Sequence, residues 1–91
     1  LTQVRLTWTD ADGQILANGM VDATEDFLTP PTVVVPEGKV FAGWFIETTD
    51  ADGNKTLKLI FAPTENGVIN LPEDYMLEPM VLIARFEKAE G

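Results

Sequence analysis

A chain of 91 residues, 45% of them hydrophobic and 9% aromatic, has the material for one core-forming domain rather than a disordered segment. Fifteen acidic residues against six basic ones leave a formal charge of −9, which repels phosphate backbones and anionic lipid surfaces and argues against nucleic acid as a partner. With no cysteine and no histidine, the chain lacks the usual zinc ligands, a thiol nucleophile, a Ser-His-Asp triad and the commonest general base; no apolar run is long enough to span a bilayer, so direct membrane insertion is not expected.

Gln3 to Thr9 alternates strictly, with Val4, Leu6 and Trp8 on one face and Arg5, Thr7 and Thr9 on the other, the period of a half-buried strand. Asp10-Ala11-Asp12-Gly13 is tight-turn chemistry and sends a second strand, about Gln14 to Val21, back as a hairpin. Asn18-Gly19 within that strand reads as a bulge, since a turn there would leave strands too short to pair. Asp22 to Leu28 has room for one helical turn at most before Thr29-Pro30-Pro31 stops it.

Thr32 to Val35 is an extended apolar stretch closed by the turn Pro36-Glu37-Gly38. The most aromatic strand follows, Lys39 to Thr48. Simple alternation sets Phe41 and Trp44 on opposite faces; a bulge at Gly43 shifts the parity and lets Phe41, Trp44 and Ile46 all point inward. After a second turn, Asp50 to Asn54, comes a strand from Thr56 to Ala62 with Leu57, Leu59 and Phe61 on one face. A loop from Pro63 to Gly67, one helical turn from Leu71 to Met76 and a final strand from Met80 to Phe86 complete the pattern. Leu82, Ala84 and Phe86 form its core face, Ile83 and Arg85 its other face, and Glu87 onward is a polar tail. The pattern predicts a mainly β domain, a small mixed or antiparallel sheet of about four to five strands with little helix. No linker or composition shift divides residues 1–91, and the start at Leu1 reads as a piece excised from a longer protein.

The opening strand with its Asp10-Ala11-Asp12-Gly13 turn, the prolines at 30 and 31, the run Gly38-Lys39-Val40-Phe41-Ala42-Gly43-Trp44-Phe45 and the closing Leu82-Ile83-Ala84-Arg85-Phe86 stand in that order. Together, over roughly residues 3 to 87, they resemble the Listeria–Bacteroides repeat of internalin B-repeats and other bacterial surface proteins. Val40 stands where that family often has an aromatic, Phe86 replaces its final Trp, and the stretch from Thr48 to Pro79 is longer than in a compact repeat. The resemblance implies a β-grasp-like repeat module with a curved sheet. It further implies an extracellular, cell-surface, non-catalytic role in adhesion or as a spacer.

Asp10/Asp12 and Asp50/Asp52 suggest calcium, but an EF-hand loop needs a bidentate Glu at its twelfth position, where this chain has Val21 and Phe61. The acids then serve turns, and a looser site shared between loops stays open. Glu25/Asp26 and Glu73/Asp74 are adjacent acids that diverge in direction, and a chain this small has little room for a catalytic cleft, so no enzyme and no cofactor is expected. Trp8, Phe41, Trp44, Phe45 and Tyr75 offer a sugar-stacking platform; the inward faces of their strands assign Trp8, Phe41 and Trp44, with Gly43, Leu82 and Phe86, to the core instead.

Phe45 is different. If Trp44 points in, Phe45 points out, and with Ile60 and Ile83 it makes either an apolar patch for a partner or a surface covered by Thr32–Val35 or Val68–Leu71. A small open sheet also has free edges for strand addition, with neither edge marked as used. The partners expected are a host or bacterial surface protein or neighbouring domains of the same chain. A glycan is the alternative, in a carbohydrate-binding module or an accessory domain of a secreted enzyme.

Overall fold

The computed structural model describes residues 2–64 and 66–89. Leu1, Glu90 and Gly91, at the ends of the expected domain, and Glu65, in the expected Pro63–Gly67 loop, lie outside the described residues. The protein is mainly β. Seven strands follow the chain: β1 (Gln3–Thr9), β2 (Ile15–Asp22), β3 (Phe27–Leu28), β4 (Lys39–Thr49), β5 (Lys55–Phe61), β6 (Ile69–Asn70) and β7 (Met80–Lys88). Five of them form one mixed sheet in the order β2-β1-β7-β4-β5, and β3 pairs antiparallel with β6 in a separate ladder. The first and last strands, β1 and β7, run parallel at the centre, with Trp8 beside Leu82. An antiparallel hairpin flanks them on each side, β1–β2 and β4–β5.

Both hairpin tips are built alike. One carboxylate oxygen of Asp10 accepts the backbone N–H groups of Asp12 (2.8 Å) and Gln14 (2.9 Å), and Asp50 does the same for Asp52 and Asn54 at 2.9 Å each. The Gly13 and Gly53 amides then donate to the Asp10 and Asp50 carbonyls at 3.1 Å, with the positive φ that glycine takes without strain. The repeated Asp-x-Asp-Gly is thus self-contained turn chemistry.

Parallel strands cannot be joined by a tight turn, so the chain must cross the sheet. It crosses from β2 to β4 and again from β5 to β7, and the residues buried along both routes, Ala23, Leu28, Ile69 and Leu77, belong to one cluster with Val4, Leu6, Trp8, Trp44, Phe61, Leu82 and Ala84. Both crossings therefore lie on the same face. Extended backbone covers that face where helices commonly do, and the two crossings are hydrogen-bonded to each other: Leu77 N–H to the Ala23 carbonyl (2.8 Å), Leu71 N–H to the Asp26 carbonyl (2.9 Å), and the β3–β6 ladder. Leu6, Leu77, Leu82 and Trp44 are almost wholly enclosed, and burial of each leucine contributes about 1.5–3 kcal/mol.

Three irregularities set which side chains face this core. On β4, Ala42 is the extra residue against β7, so Phe41 pairs with Phe86 and Gly43 with Arg85. Phe41 and Trp44 consequently share the inner face, their ring centroids 5.5 Å apart, and Ile46 packs against the same cluster. On β2, the register runs unbroken through Asn18 and Gly19; the shift falls at Leu16, between the pairs Trp8–Ala17 and Thr9–Ile15. The bulge expected at Asn18-Gly19 is therefore at the turn end of the strand, where the hairpin loop has to absorb the odd residue.

The third irregularity is on β5. Trp44 pairs with Phe61 but Phe45 pairs with Leu59, leaving Ile60 as the extra residue. The expected single face of Leu57, Leu59 and Phe61 is thereby split: Phe61 turns into the core and the two leucines turn away. The helical turns expected within Asp22–Leu28 and Leu71–Met76 are instead hydrogen-bonded turns, Glu25 N–H to the Asp22 carbonyl and Tyr75 N–H to the Pro72 carbonyl. The last strand continues through Glu87 and Lys88, pairing them with Val40 and Lys39, so these residues are sheet rather than tail.

Candidate functional site

The side of the sheet opposite the core is crossed by one row of paired residues: Ile15, Thr9, Ile83, Phe45 and Leu59, each beside the next on the neighbouring strand. β1 supplies Thr9 to this face because Trp8 is turned inward. β4 supplies Phe45 by the same alternation from Trp44. One step along, Val81 lies beside Thr7 and Leu57 beside Glu47. Val81 is 54% exposed, Leu59 46% and Leu57 40%, while Phe45 and Ile83 are half-buried by their neighbours.

Phe45 and Ile83 are brought together as direct cross-strand neighbours on this face. Ile60 is not with them. The β5 bulge rotates it to pack against the core cluster, and Leu59 takes the place opposite Phe45. Sequence reasoning missed Leu57, Leu59 and Val81 as members of the face; the alternation of Thr56 to Ala62 carries no mark of the bulge that re-aims them. Neither loop weighed as a cover lies here. Thr32 and Val33 sit beside Phe41 and Trp44, and Ile69 is in the core.

Polar groups rim the apolar row. Leu57, Val81 and Ile83 line an open groove of about 490 Å³ whose wall includes Asp10 and Asp12 from the β1–β2 tip, together with Arg85. Lys55 approaches Glu47 at 3.4 Å across the β4–β5 hairpin, and the Arg5 guanidinium donates to the Asn18 side-chain carbonyl at 2.5 Å. The Thr9 hydroxyl, buried within the row, donates to the Leu82 carbonyl at 3.0 Å and so carries no unmet hydrogen bond. Among the described residues, no group of three or more His, Cys, Asp or Glu is arranged to hold a metal ion.

Trp8 and Trp44 are buried on the core face of the sheet, with Leu82, on the intervening β7, fully buried in the same cluster. Phe41, half-buried, contacts Phe86 at 5.9 Å between ring centroids, and Tyr75 is partly buried against the core. Gly43 is buried with φ +126°, under the Leu59 side chain. The face that remains open is aliphatic with one aromatic, Phe45. It offers contact area for an apolar surface.

No family model, curated protein or solved structure matches the chain.

Proposed function

We propose that this domain is a non-catalytic interaction module of a bacterial cell-surface protein, built on a β-grasp-like sheet, whose outer face contacts a partner protein or a neighbouring domain. The observation that carries the reading is the apolar row Ile15–Ile83–Phe45–Leu59, with Val81 and Leu57 beside it, on a sheet face that no described segment covers. Apolar residues gathered on one face and rimmed by charge mark contact surfaces in soluble domains.

The central parallel pair formed by the first and last strands, flanked by two hairpins, is the arrangement a β-grasp reading requires. The resemblance of the Gly38–Phe45 run and the closing Leu82–Phe86 segment to Listeria–Bacteroides repeats supports the cell-surface placement. Burial of both tryptophans favours the protein-contact reading over the carbohydrate-binding alternative, which keeps only the half-buried Phe45 and Tyr75 for stacking.

The test of placement is antibody labelling of the parent protein on intact producer cells. Labelling of unbroken cells, abolished by brief external protease treatment, is the expected result; labelling only after lysis would contradict the proposal.

A further inference from the structure

We propose that the open edge of β2 is a strand-addition site for an extended peptide segment with an uncharged, β-prone middle and basic residues at both ends. The inference rests on the reading of the domain as a protein-interaction module, but it uses a sheet edge and not the Phe45 face.

β2 is the outermost strand on its side, paired among the described residues with β1 alone. The Ala23 N–H donates to the Thr2 carbonyl at 2.9 Å, so alternation along the strand turns the N–H and C=O groups of Asn18 and Met20 away from β1, toward the open side. Natural sheets guard such edges with lysines, inward-pointing charges or bulges. The opposite edge, β5, is guarded in all these ways. It carries Lys55 and Lys58, Lys58 lies opposite the inward-facing Ile46, and its bulge is at Ile60. β2 has no charged residue from Ile15 to Val21; its bulge at Leu16, like that of β5 at Ile60, lies next to a strand end, so the missing charge is what distinguishes this edge. Ile15 and Met20 are exposed along it.

Charge decides the occupant. The uncharged stretch is bracketed by Asp10 and Asp12 at its start and by Asp22, Glu25 and Asp26 at its end. A second copy pairing antiparallel would bring Asp22 of each chain against the Asp10–Asp12 end of the other, and pairing parallel would oppose identical acidic ends, between two bodies each of charge −9. A segment with lysine or arginine at both ends meets carboxylates at both ends whichever way it runs. The eight residues of β2 span about 26 Å, which sets the separation of the two basic clusters. Main-chain hydrogen bonds to Asn18 and Met20 supply affinity, and the acidic brackets supply selection.

The test is an amide NMR titration of the 15N-labelled chain with the acetylated, amidated peptides KKVTVTVKK and EEVTVTVEE. Expected are shifts and slowed amide exchange at Asn18 and Met20 with the basic peptide alone, weakened about tenfold by Asp12→Asn combined with Asp22→Asn. Met20→Pro removes an outward donor that the β1 ladder does not use, and it abolishes the binding while the inner-face resonances stay in place. Asn18 and Met20 unmoved by the basic peptide, equal binding of the acidic peptide, or undiminished binding to the Met20→Pro chain would each overturn the proposal. The outer-face reading survives any of these: of its residues only Ile15 lies on β2, and Phe45, Ile83, Leu59 and Val81 stand on other strands.

Discussion

Trp8 and Trp44 meet edge to face on the core side of the sheet, their ring centroids 4.8 Å apart and their planes at 77°. The contact joins β1 to β4 across the intervening β7, so it ties together two hairpins that share no backbone hydrogen bonds. Trp44→Ala is expected to cost about 3–5 kcal/mol, since the side chain is only 2% exposed. A double-mutant cycle with Trp8→Ala, read by chemical denaturation, is expected to give a coupling of about 0.5–1.5 kcal/mol.

Gly43 is required twice over. At φ +126° an L side chain is strained, and a Cβ there would stand 2.7 Å from both the Leu59 Cδ1 atom and the Phe61 carbonyl oxygen. The carbonyl is backbone and cannot yield cheaply. Gly43→Ala is expected to destabilise by about 2 kcal/mol or more, and Gly43→Val by more again. Gly19, whose added Cβ would meet nothing within 4 Å, is the control: Gly19→Ala is expected to be neutral or to stabilise by about 0.4–1 kcal/mol. Thermal melts of the three variants check the contrast.

Much of this fold is legible in the sequence where its causes are local. Strict alternation marks β1 and β7, the Asp-x-Asp-Gly pairs mark both hairpin tips, and the spacing of Phe41 and Trp44 requires an odd residue between them. What is not legible depends on partners distant in the chain. Nothing in Thr56 to Ala62 shows that Ile60 will be skipped; Phe45 and Trp44 impose it from the adjacent strand. Leu77, at 2% exposure one of the best-buried residues, lies in an irregular crossing where periodicity carries no signal. The outer face was half legible for the same reason. Phe45 and Ile83 follow from alternation, whereas Leu59 and Leu57 reach it through the bulge.

Asp22 ties the end of β2 to the first crossing. Its carboxylate accepts the Thr24 backbone N–H (2.9 Å) and the Thr24 hydroxyl (2.7 Å), and these bonds, the backbone one foremost, hold it below the usual carboxylate range. Because the folded-state value is the lower one, the stabilisation is full above the unfolded value of about 3.9 and is lost as pH falls through the folded value. Asp22→Ala is therefore expected to lower Tm at pH 7, with the difference from wild type shrinking once pH drops below about 3.9. Paired melts across that range give the measurement, and a difference that stayed constant in acid would assign the loss to something other than the carboxylate.

The most direct test of the outer face as a contact surface is site-specific photocrosslinking in the parent protein on its producer cells. A benzophenone amino acid replaces Val81, on the outer face, or Val34, which is still more exposed but sits in the loop beside Phe86. Irradiation is expected to yield a discrete protein adduct, or an intramolecular crosslink to an adjoining domain, from position 81 and none from position 34. Equal capture at both positions, or no adduct from position 81, would contradict the account.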